Sequence, residues 1–178
     1  MHTAVLKFWF EEIEPASWWQ ANDSFDDQIR RRFGSLLQQA AQAELYPWRQ
    51  SPQGRLAEII VLDQFSRNVY RNTPQAFAQD TMALVLAEEA IACEADQSLS
   101  AGQRVFLYLP FMHSESRLIH QQAERLYREN GEKSNYDYAL RHKAIIDRFG
   151  RYPHRNQVLG RISTAEELEF LQQPGSRF

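Results

Sequence analysis

Three short segments of this sequence combine charged or titratable side chains with aromatic ones: 63–71, 109–115 and 148–156. Arginine presents a planar fork of donors that matches a carboxylate or a phosphate, and histidine and glutamate can move protons near neutral pH. Each segment lies where a predicted helix ends, and functional groups are often found at such ends. The three segments therefore supply the candidate residues for anion binding and for acid–base chemistry.

The first segment, 63–71, follows a strongly apolar run and holds two arginines at helical spacing. Asp63 and Arg67 are four residues apart, so they can pair on one helix face, and Arg71 repeats that spacing. A helix C-terminus explains the same pattern, because arginines there interact favourably with the helix dipole. If the guanidinium groups instead face a ligand, the candidate binding residues are Asp63, Arg67, Asn68 and Arg71.

The second segment, 109–115, places His113 between a proline-containing apolar run and a predicted helix start. Capping accounts for Ser114 and Glu115, since a carboxylate in the first helical turn is stabilised by the dipole. It does not account for His113, although a packed, hydrogen-bonded histidine is the ordinary alternative to a catalytic one. His113 and Glu115 are therefore candidates for both ligand binding and proton transfer.

The third segment, 148–156, belongs to a region whose net charge is positive although that of the whole chain is negative. Between residues 141 and 161 there are six lysines or arginines against one acid, Asp147, whereas the whole chain carries a net charge of −3. A solvated basic loop is the simple interpretation, but interleaved aromatic residues indicate that the loop is packed down. The candidate binding residues here are Arg151, His154, Arg155 and Asn156, and His154 is also a candidate for proton transfer.

Patterns typical of metal, phosphate-loop or nucleophile sites are missing from the sequence. One cysteine, Cys93, excludes an internal disulfide and a cysteine-based zinc site. Neither a glycine-rich phosphate loop nor a Gly-x-Ser-x-Gly turn occurs. We predict neither a cofactor nor a metal, and the catalytic candidates are limited to His113, Glu115 and His154.

The chain as a whole predicts one globular domain spanning 1–178. Its 178 residues suffice for one well-buried core, and 43% hydrophobic residues argue against disorder. A net charge of −3 argues against nucleic-acid binding, and no apolar stretch is long enough to span a membrane. Since no signal peptide is visible either, we expect a cytoplasmic protein; its oligomeric state stays open.

Apolar residues recur every three to four positions, which predicts helices joined by short loops. Expected starts are Asp23 or Ser24, Pro52, Asp80, Ser100, Ser114 or Ser116, Ser134, and a capping box from Ser163 to Glu166. We expect Gly131 and Gly150 to end helices, and Pro110 to end the one before it. A strand over Val105–Leu109 is the one competing prediction. The fold class expected is all-α: seven to nine helices in an irregular superhelix of antiparallel pairs.

Several multi-residue motifs resemble those of the bacterial domain-of-unknown-function 924 family. They are Val5–Phe10, Asp63–Asn68, Leu109–Glu115, Phe149–Asn156, Leu159–Arg161 and Ser163-Thr164. Together they cover nearly the whole chain in the family's order. The resemblance implies an all-α fold similar to that of tetratricopeptide-repeat proteins, and it implies no reaction, cofactor or catalytic residue.

Three functional hypotheses follow. The first is a helical binding module for a small anionic ligand or a peptide, and the second is an enzyme that acts on a small anionic substrate. The third is a purely structural network in which arginine–carboxylate pairs join the helices. An open pocket at the meeting point of the segments would favour the first two, and a closed, fully paired cluster the third.

We expect at least two of the three segments to meet in the fold. They would bring five cations, Arg67, Arg71, Arg151, Arg155 and Arg161, against three acids, Asp63, Glu115 and Asp147. This count leaves two positive charges without a carboxylate. Because arginine stays protonated, such a surplus predicts a site for phosphate, sulfate or a carboxylate ligand.

Overall fold

Every regular element is helical in the computed structural model, which describes residues 1–176, and that range contains no strand. Its α-helices are α1 (His2–Lys7), α2 (Asp23–Ala41), α3 (Pro52–Ile60), α4 (Ser66–Val69), α5 (Asp80–Ala92), α6 (Ala101–His113), α7 (Arg117–Asn130), α8 (Lys133–Phe149) and α9 (Ala165–Phe170). Short 3₁₀ turns at Pro15–Trp19, Tyr46–Gln50, Pro74–Phe77, Ala95–Ser98 and Pro153–Arg155 fill several of the connections. The all-α prediction is confirmed.

Most helix ends use the expected chemistry. The hydroxyl of Ser51 accepts a hydrogen bond from the first turn of α3, where Pro52 lies, and Ser100 and Gln103 form a reciprocal capping box on α6. Gly131 and Gly150 end α7 and α8 with φ angles of 85° and 71°, a left-handed conformation that favours glycine.

Four expected helix starts differ in the structure, one of them that of α8, which begins at Lys133 rather than at Ser134. Asn22, rather than Asp23 or Ser24, caps α2, and the last capping box runs from Thr164 to Glu167 instead of from Ser163 to Glu166. Asp80 begins α5 without capping it, because its carboxylate is held by arginines described below. Capping motifs one residue apart in the chain are hard to distinguish by sequence alone.

Helix α6 continues through Pro110 to His113, so the predicted helix end at Pro110 is wrong, whereas Val105–Leu109 forms the favoured helix and not the competing strand. A proline inside a helix removes one backbone hydrogen bond and crowds the preceding turn. Every side chain from Val105 to Met112 is buried here, and this packing keeps the helix continuous. His113 is therefore the last residue of α6.

Helices α3 and α4 are joined by a π-helical segment, Val61–Phe65, into one continuous run through the centre of the protein. All five residues of the π segment are buried, as are six of the nine residues of α3. A helix buried on all sides is typical of a central core element. The wider turn of the π segment carries Asp63, which is fully buried.

The main core packs around this central run. Aromatic rings of Phe8, Trp9, Phe33 and Phe65 contact one another with centroids 5.0–6.2 Å apart. Helices α6, α7 and α8 pack consecutively against each other, and a smaller cluster of Ile145, Ile146 and Tyr152 lies beneath the loop after α8. The tetratricopeptide-like stacking of helix pairs stays a prediction.

Within residues 1–176 no helix combines the length and the apolar character needed to cross a bilayer.

Candidate functional site

A histidine–aspartate pair joins the first two predicted segments. The Nδ1 atom of His113, at the end of α6, lies 2.7 Å from Oδ1 of Asp63 in the π segment. The amide of Gln64 donates to the other carboxylate oxygen at 2.6 Å. Arg67 and His113 hold the pKa of Asp63 well below its usual range despite the burial of this carboxyl. Because an ionised carboxylate can only accept, the proton of His113 is on Nδ1.

Two arginines share a second carboxylate, that of Asp80. Arg67 makes a bidentate pair with it at 2.8 and 3.0 Å and also lies 3.1 Å from Asp63. Arg155, from the loop after α8, reaches the same carboxylate through one longer contact of 3.3 Å. The other terminal nitrogen of Arg155 donates to the backbone carbonyl of His113 at 3.0 Å. Asp80 thus ties the third segment to the first two.

The guanidinium group of Arg155 lies between two aromatic rings, with its central carbon 4.6 Å from the ring centres of both Phe77 and Tyr152. Its side chain is 7% exposed, and its Nε has no hydrogen-bond partner among the described residues. Burial and the neighbouring Arg67 lower the pKa of Arg155 from its ordinary value. Arg155 is therefore a buried cation that the protein satisfies only in part.

Some of these residues line an open cleft with a volume of about 330 Å³. Its polar wall is formed by Asp80, His113, Glu115 and Arg155, together with Thr81 and Ser114. Apolar side chains form the opposite part, and they are Pro74, Phe77, Ala78, Leu84, Pro110 and Leu159. A concave site with a few convergent polar groups on an apolar lining is the usual form of a small-molecule pocket.

His113 is one of the residues that line this cleft. Its Nε2 atom makes no hydrogen bond to any residue in 1–176 and is not fully buried, so solvent reaches it. Burial, first, and the charge of Arg67 lower the pKa of His113 below 6.5. At pH 7 the ring is neutral, and the lone pair of Nε2 is available to accept a proton.

The remaining residues of the first segment point elsewhere. Arg71 makes a bidentate pair with Asp26 of α2, and the amide of Asn68 donates to the same carboxylate at 2.8 Å. Neither Arg71 nor Asn68 lines the cleft. This trio fastens α4 onto α2.

In the third segment, Arg151 and Asn156 both bind the carboxylate of Glu167, the former through bonds of 2.7 and 2.8 Å and the latter at 3.2 Å. This cluster attaches the loop to α9 and is separate from the cleft. The ring of His154 lies beside that of Tyr152, with centroids 5.5 Å apart and planes tilted by 43°, and His154 does not line the cleft.

Glu115 lines the cleft but is already engaged. Arg161 pairs with both of its oxygens at 2.6 and 2.9 Å, and the backbone N–H of Tyr152 donates to it at 2.8 Å. These bonds lower the pKa of Glu115 although its burial acts in the opposite direction. An ionised, doubly bound carboxylate is a structural support and a poor proton donor.

The prediction that the segments meet is confirmed, since His113 contacts both Asp63 and Arg155. The predicted surplus of two cations is wrong. The count omitted Asp26, Asp80 and Glu167, which pair with Arg71, Arg67 and Arg151, and it included Asp147, which pairs with Lys143 on the surface. Spacing along the chain gives no sign of such partners, because they lie on other elements. Among the described residues no three His, Cys, Asp or Glu side chains lie close enough to hold a metal ion.

A family model described as "Bacterial protein of unknown function (DUF924)" matches residues 5–175. The chain belongs to the DUF924 family. Its resemblance to this family in the sequence motifs is thereby confirmed.

A solved structure gives the DUF924 fold independent support. The protein of unknown function ATU0120 from Agrobacterium tumefaciens is 37% identical to this chain, with 96% of each chain covered and a TM-score of 0.91. No curated protein matches the chain. Family and fold are thereby established, and the cleft is the feature from which a function can be inferred.

Proposed function

We propose that the cleft between α5, the end of α6 and the loop after α8 binds a small molecule that carries a carboxylate or phosphate group. Arg155 is the residue that receives this group. The proposal makes the protein a helical binding module for a small anionic ligand.

The observation that carries the proposal is the way in which Arg155 differs from the other arginines of the three segments. Arg67, Arg71, Arg151 and Arg161 each hold a carboxylate with two nitrogen–oxygen contacts. Arg155 has a single contact of 3.3 Å to a carboxylate that Arg67 already binds. Formal charges in the cluster balance, but this geometry leaves Arg155 the least neutralised of the five. A ligand anion would complete its coordination.

The size and lining of the cleft favour a small ligand over a peptide. A volume of about 330 Å³ is near the lower limit of roughly 300–1,000 Å³ for small-molecule pockets. Phe77, Leu84 and Leu159 provide apolar contact for the uncharged part of such a molecule. Peptide binding needs a longer groove than this one.

Thermal denaturation in the presence of phosphate, sulfate, citrate and succinate tests the proposal. An anion that binds the folded protein raises the melting temperature, by an amount that grows with its concentration. We expect a rise for the wild type and a clearly smaller one for Arg155→Lys, because an ammonium group lacks the planar fork.

Arg49→Lys is the matched control. Arg49 makes a bidentate pair with buried Glu58, at 2.7 and 2.8 Å, away from the cleft. This variant should lose stability without losing the anion-dependent rise. If no anion raises the wild-type melting temperature, or if both lysine variants respond as the wild type does, the cluster around Arg155 is structural and the binding proposal is wrong.

A further inference from the structure

We propose that His113 is a general base which activates a water molecule in the cleft, and that the protein hydrolyses small esters bearing an anionic group. The proposal rests on the binding function proposed above for the anionic group, and it adds a reaction. It is carried by the arrangement of Asp63, His113 and the open cleft.

The geometry is that of an oriented histidine base. Asp63 is fully buried and accepts the Nδ1 proton of His113 at 2.7 Å, which fixes both the tautomer and the ring orientation. The ring is held at the end of α6, in a residue that lines a cleft large enough for water and a substrate, and its Nε2 is accessible to solvent. A buried carboxylate on one ring nitrogen and an accessible lone pair on the other is the arrangement that general-base histidines use.

Hydrogen bonding alone does not explain why this pair is built in this way. The buried histidines His142 and His120 each use a ring nitrogen on a backbone carbonyl, Nδ1 of His142 on that of Tyr138 at 2.9 Å and Nε2 of His120 on that of Ser114 at 2.8 Å. In His113, by contrast, one ring nitrogen donates to the buried carboxylate of Asp63, and the other has no hydrogen-bond partner in residues 1–176. That arrangement stabilises the imidazolium which forms when Nε2 accepts a proton.

The reaction balances with water as the only co-reactant. Nε2 of His113 takes one proton from water as the water oxygen forms a bond to the ester carbonyl carbon. The bond from that carbon to the leaving oxygen then breaks, and the imidazolium returns its proton to the leaving group or to solvent. The products are a carboxylic acid and an alcohol, and nothing is oxidised or reduced.

Arg155 places the substrate next to this base. Its Nη2 donates to the carbonyl of His113 itself at 3.0 Å, so the base and the proposed anion site are adjacent. An anion at Arg155 would therefore hold the rest of the molecule against the exposed side of His113. Arg155 acts here as a binding residue, and Asp63 as a positioning residue that acts through His113.

Charged groups around His113 set the pH at which the base is active. Asp63 and Arg67 face it from the central helical run, Asp80 from α5, and Arg155 from the loop after α8. His120 of α7 lies on its remaining side and is neutral at pH 7, with a pKa of about 4. Burial and Arg67 outweigh the two acids and lower the pKa of His113, so hydrolysis should persist below pH 6.5.

The test measures release of 4-nitrophenolate from two activated esters, neutral 4-nitrophenyl acetate and its carboxylate-bearing counterpart, mono-4-nitrophenyl succinate. The free carboxylate of the succinate ester attacks its own ester carbonyl, so the rate without protein is subtracted for each ester. We then expect faster protein-dependent hydrolysis of the succinate ester, and a loss of about tenfold or more for His113→Gln with either ester. His2→Gln, which alters a histidine outside the cleft beside Trp48, measures the background from other imidazoles and should retain the wild-type rate. Circular dichroism checks that each variant is folded.

Asp63→Asn separates positioning from mere structural support. Asp63 raises the pKa of His113 through its charge and hydrogen bond, so its loss should move the acid limb of the rate profile to lower pH as well as reduce the rate. A variant that is only less stable would keep the wild-type profile. If Asp63→Asn does not fold, His113→Gln alone decides the question.

The outcomes distinguish the two proposals. Hydrolysis that is no faster than in His113→Gln overturns the general-base proposal and leaves anion binding at Arg155 intact if the melting-temperature test succeeds. His113-dependent hydrolysis with no preference for the succinate ester, and no effect of Arg155→Lys on that preference, supports the base and overturns the anion site.

Discussion

Asp80 is the residue on which Arg67 and Arg155 both depend. Its carboxylate binds Arg67 through two bonds and Arg155 through one, although it is separated from Arg155 by 75 residues in the chain. Breaking a largely buried ion pair on one side is costly, because the remaining charge stays in a poorly solvated place. Asp80 also competes with any ligand anion for Arg155.

Replacing Asp80 with asparagine should therefore have two opposite effects. The free energy of unfolding should fall by about 2–3 kcal/mol, since two arginines lose their shared carboxylate. The phosphate-dependent rise in melting temperature should become larger than in the wild type, because Arg155 is then free for the anion. Thermal denaturation with and without phosphate measures both.

Asp27→Asn is the control for this change. Asp27 pairs with Arg30 on the surface of α2, where its side chain is 58% exposed. Loss of such a pair costs less than about 1 kcal/mol and should leave the phosphate effect unchanged. A phosphate effect that shrinks in Asp80→Asn would contradict the role assigned to this carboxylate.

At the scale of elements, the 3₁₀ turn Tyr46–Gln50 packs closely against Gly54 in the first turn of α3. A Cβ atom at Gly54 would lie 2.0 Å from the backbone carbonyl oxygen of Trp48. Gly34, in the middle of α2, has nothing within 4 Å of the same position. Substitution by alanine should therefore have opposite effects on stability at these two glycines.

Gly54→Ala should destabilise the protein by about 3 kcal/mol or more, because the backbone at Trp48 has to move. Gly34→Ala should stabilise it by about 0.5–1 kcal/mol, since alanine loses less conformational entropy in a helix. Urea denaturation of both variants measures the difference. Equal effects would show that the approach of the turn to α3 is not as described.

The sequence predicts elements better than it predicts partners. Helical periodicity and caps at Ser51 and Ser100 are local signals, so the helices and most of their ends follow from nearby residues. The continuation of α6 through Pro110 depends on burial against other helices, which local patterns do not show. The π segment at Val61–Phe65 has no recognisable sequence pattern either.

For the site, the residue types were informative and the pairings were not. Clusters of charge and aromaticity at helix ends predicted that at least two segments meet, and the bond from Arg155 to the carbonyl of His113 confirms it. The acids that neutralise the arginines come from distant parts of the chain; Asp26, for example, is 45 residues from Arg71. Charge balance in a folded site therefore has to be counted in three dimensions.

At the scale of the whole molecule, buried histidines link stability to pH. Burial lowers the pKa of His120 to about 4 and that of His142 to about 3, from an ordinary value of 6.5. Below pH 6.5 these histidines bind protons in the unfolded chain but not in the folded protein. The free energy of unfolding must therefore decrease as the pH falls. His113, whose pKa is also lowered, acts in the same direction.

Between pH 7 and pH 5 we expect a loss of about 2 kcal/mol for each of His120 and His142. Urea denaturation at pH 7, 6 and 5 measures this loss. It should be smaller in His142→Gln, which removes one of the titrating groups. A stability that is constant across this range would mean that these rings are protonated, or hydrated, in the folded protein.

The cleft is built from parts of the chain that are far apart, and this has a consequence for any molecule that occupies it. Arg155 contacts residues 42 and 75 positions earlier, at His113 and Asp80. In polymer terms, a ligand held between these walls is a reversible cross-link that closes two long loops of the chain. Its occupancy should therefore slow hydrogen exchange together at the ends of α6 and α8 and at the start of α5, regions that a purely local contact would protect one at a time.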